Sequence, residues 1–382
     1  MKRKTLLIGG IVLGVLVLLL IIFVLAAPLW ARLGMKPVCI QGEWPRVHTV
    51  SCSETMAVYP TVTPLALPGL NGQAAIPVIV DDDGSPDGTI ALLYFLSNPR
   101  FDVRAVTISN GEAHPDLFAD HILQLLAGLG RADIPVGAGN PTPLEGNNAF
   151  PDPWRQVSDN FWNIELSPAS VTLEPVPAAE LIVEIINNSP QLVMLFVSGT
   201  HTNLAEALRL DPGIAGNIRD VYIMGGSVYV EGNIKSAWPA IDNGVAEWNI
   251  WADPVAAKEV FASGLPLHLI PLDATRKVTW TQSDLPGWAS SDSTEGALAG
   301  ELLQWMLNSW SPEGVYIWDL TAAVQTTNPA ICPEVSLAID IVTSPGPEQG
   351  RMIIPQDTPN ASVCLNPDIG QVKSLAASIL GK

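Results

Sequence analysis

Beyond Ala75 the chain repeats one rhythm: a short apolar run rich in Val and Ile, a stretch with helical spacing, then another run. Ile76–Val80, Val103–Ile108, Leu192–Val197, Val221–Met224 and Leu267–Ile270 read as buried strands. Ile90–Leu96, Leu117–Leu129, Ala178–Ile186, Leu204–Leu210 and Val255–Ala262 read as the helices between them. Near-continuous apolar strands interleaved with helices predict an α/β domain, an open and mostly parallel sheet with helices on both faces. Residues 75–382 supply enough chain for one such domain, without an internal repeat. Ligands of open parallel sheets bind beyond the carboxyl ends of the strands, so the segments after each strand are where chemistry is expected.

The first of these segments, Asp81-Asp82-Asp83-Gly84-Ser85-Pro86-Asp87-Gly88, crowds carboxylates onto a turn that opens a helix. Like charges this close repel one another, and a shared hard cation with oxygen ligands, such as Ca²⁺, relieves the repulsion. A solvated turn with Asp87 as helix N-cap is the plainer alternative. An EF-hand is excluded, since its long loop and terminal Glu are missing. Further polar or glycine-rich segments follow strands or open helices: Ser198–Asn203, Met224-Gly225-Gly226, Gly232-Asn233, Ala246–Ile250 and Val315–Asp319. Solubility alone does not explain such a distribution.

Taken in order, these segments resemble the inosine/uridine-preferring nucleoside hydrolases, over nearly the whole chain from Ile76 onward. Asp81–Gly88 lies over the family's Asp-x-Asp-Pro-Gly-x-Asp-Asp motif, and Ser198–Asn203 over its Thr-Gly-x-x-Thr-Asn turn. Met224-Gly225-Gly226, Gly232-Asn233 and Ala246-Glu247-Trp248-Asn249-Ile250, followed by Asp253-Pro254, complete the likeness. The resemblance implies a Rossmann-like fold and hydrolysis of a ribonucleoside at a Ca²⁺ site that holds a water and the ribose 2′- and 3′-hydroxyls. It implies Asp83 as metal ligand and general base, Asp319 as a second ligand, and Ser198 as a ligand through its carbonyl. Ribose contacts are implied for Asp87, Asn233, Glu247 and Asn249, with Met224 packed beside them. The Trp318-Asp319 pair resembles the purine-preferring branch, which implies a catalytic stacking role for Trp318 and a base contact for Trp154, within Phe150–Arg155. The chemistry is reasonable, because nearby carboxylates stabilise an oxocarbenium-like sugar and indole faces suit a flat base.

The chain also departs from the family. Gly88 stands where the motif ends in a metal-binding Asp, and losing a carboxylate weakens a hard-cation site. Asp82 is an extra carboxylate, which strand alternation sets opposite Asp81 and Asp83. Asn110-Gly111-Glu112 stands in place of Gly-Gly-Asn, so Glu112 is a base- or sugar-contacting acid or a replacement ligand. The leading expectation is a calcium-dependent hydrolase of ribonucleosides, purine ones preferred. The alternatives are a tethered nucleoside- or ribose-binding protein without turnover and a hydrolase of another ribosyl compound. His114 and His201, near strand ends, are read as hydrogen-bonding residues rather than catalysts.

Leu6–Ala27 is free of charge and as a helix would span roughly 33 Å, enough to cross a bilayer core. Lys2-Arg3-Lys4 would hold the N-terminus inside and leave the rest outside. The expected order is therefore a cytoplasmic end (1–5), a transmembrane anchor or signal, read as an uncleaved anchor on its length (6–27), a Pro-rich extracytoplasmic stalk (28–74) and the domain (75–382). Disulfides survive outside the cytosol, and the shortest loops pair Cys39 with Cys52 and Cys332 with Cys364. With 38 acidic against 19 basic residues and a net charge of −19, the chain lacks the basic stripe of a nucleic-acid binder. A small-molecule nucleoside suits it better, and the family resemblance suggests a homo-oligomer.

Overall fold

The computed structural model describes residues 38–41, 48–51, 74–166 and 175–381. The expected anchor Leu6–Ala27, nearly all of the stalk and the Cys39–Cys52 bridge lie outside the described residues. Among the described residues no helix is long and apolar enough to cross a membrane. The chain divides into two compact units, one within residues 1–61 and one within 62–382. The first holds an antiparallel pair, β1 (Val38–Gln41) with β2 (His48–Ser51). All other described elements belong to the second.

The frame of the second unit is a nine-stranded sheet. Its strands are β3 (Ile76–Asp82), β4 (Phe101–Ile108), β5 (Val136–Ala138), β6 (Val176–Pro177), β7 (Val193–Val197), β8 (Ile218–Met224) and β9 (Leu267–Ile270), with two more near the C-terminus. Two short ladders lie apart from it, β10 (Thr279–Trp280) with β11 (Val315–Tyr316) and β13 (Asp340–Ile341) with β14 (Met352–Ile353). The sheet is completed by β12 (Glu334–Leu337) and β15 (Ala361–Cys364), in the order β12-β15-β9-β8-β7-β3-β4-β5-β6. Every neighbouring pair is parallel except β12 with β15.

Period-two alternation sends successive side chains to opposite faces, and both faces are apolar. On β3, Val78 and Val80 enter one core with Phe196, Met224 and the helices Pro86–Ser97, Pro115–Gly128, Thr294–Ser309, Trp318–Thr327 and Ile369–Leu380. Ile79 faces the other core, with Leu195, Ile223, Leu269 and the helices Ala178–Asn188, Thr202–Leu210 and Pro254–Ala262. The expected mostly parallel sheet with helices on both faces is therefore present, and each expected strand and helix lies within or across an observed one. Several boundaries move, among them that of β4, which starts at Phe101 rather than Val103. β3 runs on through Asp81 and Asp82, β8 starts earlier despite its charged Arg219 and Asp220, and β7 starts at Val193 because Leu192 is half-exposed. The Cys332–Cys364 disulfide is formed and ties the start of β12 to the end of β15.

Candidate active site

At the carboxyl end of β3 the chain turns through Gly84 into the helix Pro86–Ser97. Ser85 caps that helix, its Oγ accepting from the Gly88 N–H at 2.9 Å, and Pro86 follows at the first helical position. The cap is thus Ser85 and not Asp87, which lies in the first turn with its carboxylate accepting from the Asp319 N–H at 3.3 Å. Ser85 Oγ also donates to Asp319 Oδ2 at 3.1 Å, joining two acidic segments that lie far apart in the chain. Asp81 does framework work, accepting from Thr107 at 2.6 Å and Asn203 at 2.8 Å.

Asp83 is fixed by two close approaches of bare backbone. A Cβ on Gly111 would lie 2.3 Å from Asp83 Oδ2, and one on Gly199 would lie 2.6 Å from Asp83 Cβ. Only glycine lets both loops pass so near. The Glu112 N–H donates to Asp83 Oδ2 at 3.4 Å. Asp82, Asp83, Asp87 and Asp319 are all at most 3 % exposed. Burial, together with the charges of Asp82, Glu112 and Asp87, pushes the Asp83 carboxyl well above the usual carboxylate range. Asp319 and Glu112 are raised well above it too, chiefly by burial and then by neighbouring aspartates.

These groups open into a cavity of about 820 Å³, a size that suits a nucleoside. Its lining brings together every substrate, metal and catalytic residue expected from the sequence: Asp83, Asp87, Glu112, Trp154, Ser198, Met224, Asn233, Glu247, Asn249, Trp318 and Asp319. Several also brace the wall. Glu247 caps the short helix Trp248–Ala252 and accepts from Gly226 N–H at 2.8 Å. Asn249 Nδ2 donates to the carbonyls of Ser198 at 3.0 Å and Met224 at 3.1 Å, which fixes the Ser198 carbonyl. Asn233 Oδ1 accepts from the Trp248 N–H at 3.1 Å.

Aromatic rings form two groups on the lining. Trp154 meets Trp248 edge-on at 5.2 Å, while Trp318 lies tilted against Trp310 at 6.0 Å and Tyr316 at 5.7 Å. Trp154 and Trp318 are not in ring contact with each other, so a flat molecule between the groups would meet rings from distant parts of the chain. Sequence reasoning missed Ser85, Trp305, Trp310 and Arg276 as lining residues. The Ser-Pro pair before the helix was a usable capping signal for Ser85, whereas nothing in the sequence marked Trp305 or Trp310. Arg276 is the one cation of the lining among the described residues, and it donates to the carbonyls of Glu231 and Gly232 that shape the Asn233 turn. His114 pairs with Asp159, and His201 is buried without a hydrogen-bond partner among the described residues; neither lines the cavity.

The donor set fits a hard cation. It is all oxygen, it is buried, and Asp319 Oδ1 has no hydrogen-bond partner among the described residues. Among the described residues, no three Asp, Glu, His or Cys side chains already converge on one coordination point.

The comparisons with known proteins agree with this geometry. The family model described as inosine-uridine preferring nucleoside hydrolase matches residues 78–374. A pyrimidine-specific ribonucleoside hydrolase, RihA of Citrobacter koseri, is 29 % identical over 304 residues, 77 % of this chain and 94 % of that protein. Its counterpart from Klebsiella pneumoniae is 27 % identical over the same span. Among solved structures, the plant nucleoside hydrolase PpNRh1 is similar with a TM-score of 0.69 and 27 % identity, covering 80 % of this chain and 98 % of that one. A purine-preferring ribonucleoside hydrolase from Gardnerella vaginalis shares the fold, with a TM-score of 0.70 at 21 % identity over 80 % of this chain and 99 % of that one. With the matched region running from β3 into the last helix, the chain belongs to the inosine-uridine preferring nucleoside hydrolase family.

Proposed function

We propose that this protein is a membrane-anchored, extracytoplasmic hydrolase that cleaves the N-glycosidic bond of ribonucleosides, purine ones preferred, and depends on Ca²⁺. The observation that carries the reading is one cavity lined both by buried acids and by two aromatic groups. Asp83, Asp319 and the Ser198 carbonyl are the groups that would hold the cation. When bound, a hard cation would offset the clustered negative charge and make a water easier to deprotonate.

The chain's own residues do the rest. Asp87 and the Asn249 carboxamide orient the ribose by its hydroxyls, and Met224 packs beside the sugar. Water adds its oxygen to the anomeric carbon as the bond to the base breaks, Asp83 takes the proton that the water loses, and the base departs with the bonding electron pair and takes a proton from solvent. The fixed acids stabilise the positive charge that develops on the sugar. Trp318 and Trp154 hold the departing base, and a purine presents the larger face to them.

Inosine hydrolysis in calcium, followed by release of hypoxanthine, tests the reading. Asp83→Ala should abolish turnover while far-UV circular dichroism stays unchanged; retained turnover would remove Asp83 as the base. Inosine binding without hypoxanthine release from the parent protein would favour a nucleoside-binding role instead.

A further inference from the structure

The carboxylate absent at position 88 is not missing from the space around it. A Cβ on Gly88 would lie 1.9 Å from Asp82 Oδ1 and 2.6 Å from Asp82 Cγ. The Asp82 carboxylate therefore fills the volume that a side chain at 88 would enter. Strand parity puts it there. Val78 and Val80 face the core that contains the helix Pro86–Ser97, and Asp82 continues their alternation, whereas Asp81 bonds to Thr107 and Asn203. Asp82 is 2 % exposed, and its carboxylate is held only by the neighbouring backbone N–H groups of Asp83 and Gly84 and, among the described side chains, by a long hydrogen bond from Ser198 Oγ at 3.5 Å. An independent observation at the same cluster is Asp319 Oδ1, buried and without a hydrogen-bond partner among the described residues, beside an Oδ2 held by Ser85.

We propose that Asp82 supplies, from the strand, the cation-binding carboxylate that Gly88 does not supply from the helix, so that residues 82 and 88 form a compensating pair. The inference deepens the calcium-dependent reading above and rests on it. It also explains why residue 88 is glycine, since two carboxylates cannot share that volume.

The test is titration of the full-length chain in detergent micelles with calcium chloride, read by calorimetry and by the calcium-induced rise in Tm. Asp82→Asn keeps the volume and removes the charge, and should weaken calcium binding at least about tenfold. Gly88→Asp alone should lower Tm. Joining it to Asp82→Ala should relieve the crowding and return affinity to within about threefold of the parent protein, because ligand number and charge are restored. Unchanged calcium affinity in Asp82→Asn would overturn this inference alone. So would a folded double variant that binds no better than Asp82→Ala. A parent protein that takes up no calcium would overturn the cation reading and this inference together.

Discussion

Asp83 holds its place because two neighbours have no side chain, and that dependence is measurable. Gly199→Ala would drive a methyl group against Asp83 Cβ, displacing the proposed base by a fraction of an ångström or more. Activity on inosine should drop by about 100-fold, since misplacing a reacting group by 1 Å costs on that order. Circular dichroism should stay native; a native-like rate would show that the close approach is unimportant. Trp318→Ala should slow inosine about tenfold more than an activated nitrophenyl riboside, as expected if stacking contributes about 1–3 kcal/mol. Equal losses would remove its base-holding role. The acids were legible in the sequence because their order follows a known motif. Strand alternation already set Asp82 opposite Asp81, and β3 does continue through both; the partners of each, Thr107 and Asn203 for Asp81 and the space beside Gly88 for Asp82, were not legible because they lie far away in the chain or depend on the helix path.

Strands legible from their Val and Ile content are the central ones, β3, β4, β7, β8 and β9, where both faces are buried. The edges were missed. β6 has two residues, both exposed, and β12 reads Glu-Val-Ser-Leu with its middle residues exposed, so neither carries a continuous apolar signal. A polar link near the β12 edge gives a prediction for pH. His268 on β9 stacks on Tyr222 of β8 at 4.5 Å and bonds to both Asp220 on β8 and Glu334 on β12. Burial opposes its charging, but the hydrogen bonds and charges of those two acids outweigh burial and raise it from 6.5 to about 9. A raised histidine stabilises the fold fully below its unfolded pKa and loses that contribution as pH climbs through the folded one. Stability should therefore decline between about pH 6.5 and pH 9, by about 1–2 kcal/mol after allowing for solvent screening. Denaturant unfolding across that window should be flatter in His268→Gln; an identical slope would show that His268 is not responsible.

At the scale of the whole chain, the proposed anchor and the enzymatic unit call for different tests. If Leu6–Ala27 anchors the protein, full-length chain should stay with membranes through alkaline carbonate extraction, and release into the supernatant would refute anchoring. The site itself is gathered from segments that begin at Asp83 and end at Asp319, and the Ser85–Asp319 hydrogen bond spans 234 positions. Sequence order could point to each segment, but only the strand order, with β3 central in the sheet, says that they meet. That distance along the chain is also a delay. At ordinary elongation rates a ribosome makes Asp319 roughly 10 to 50 s after Asp83. During that interval the growing polypeptide carries the early acids without the late one that closes their cluster. A newborn chain therefore has no finished site until synthesis has passed Asp319 and the helix Trp318–Thr327 has packed beside the helix that follows β3.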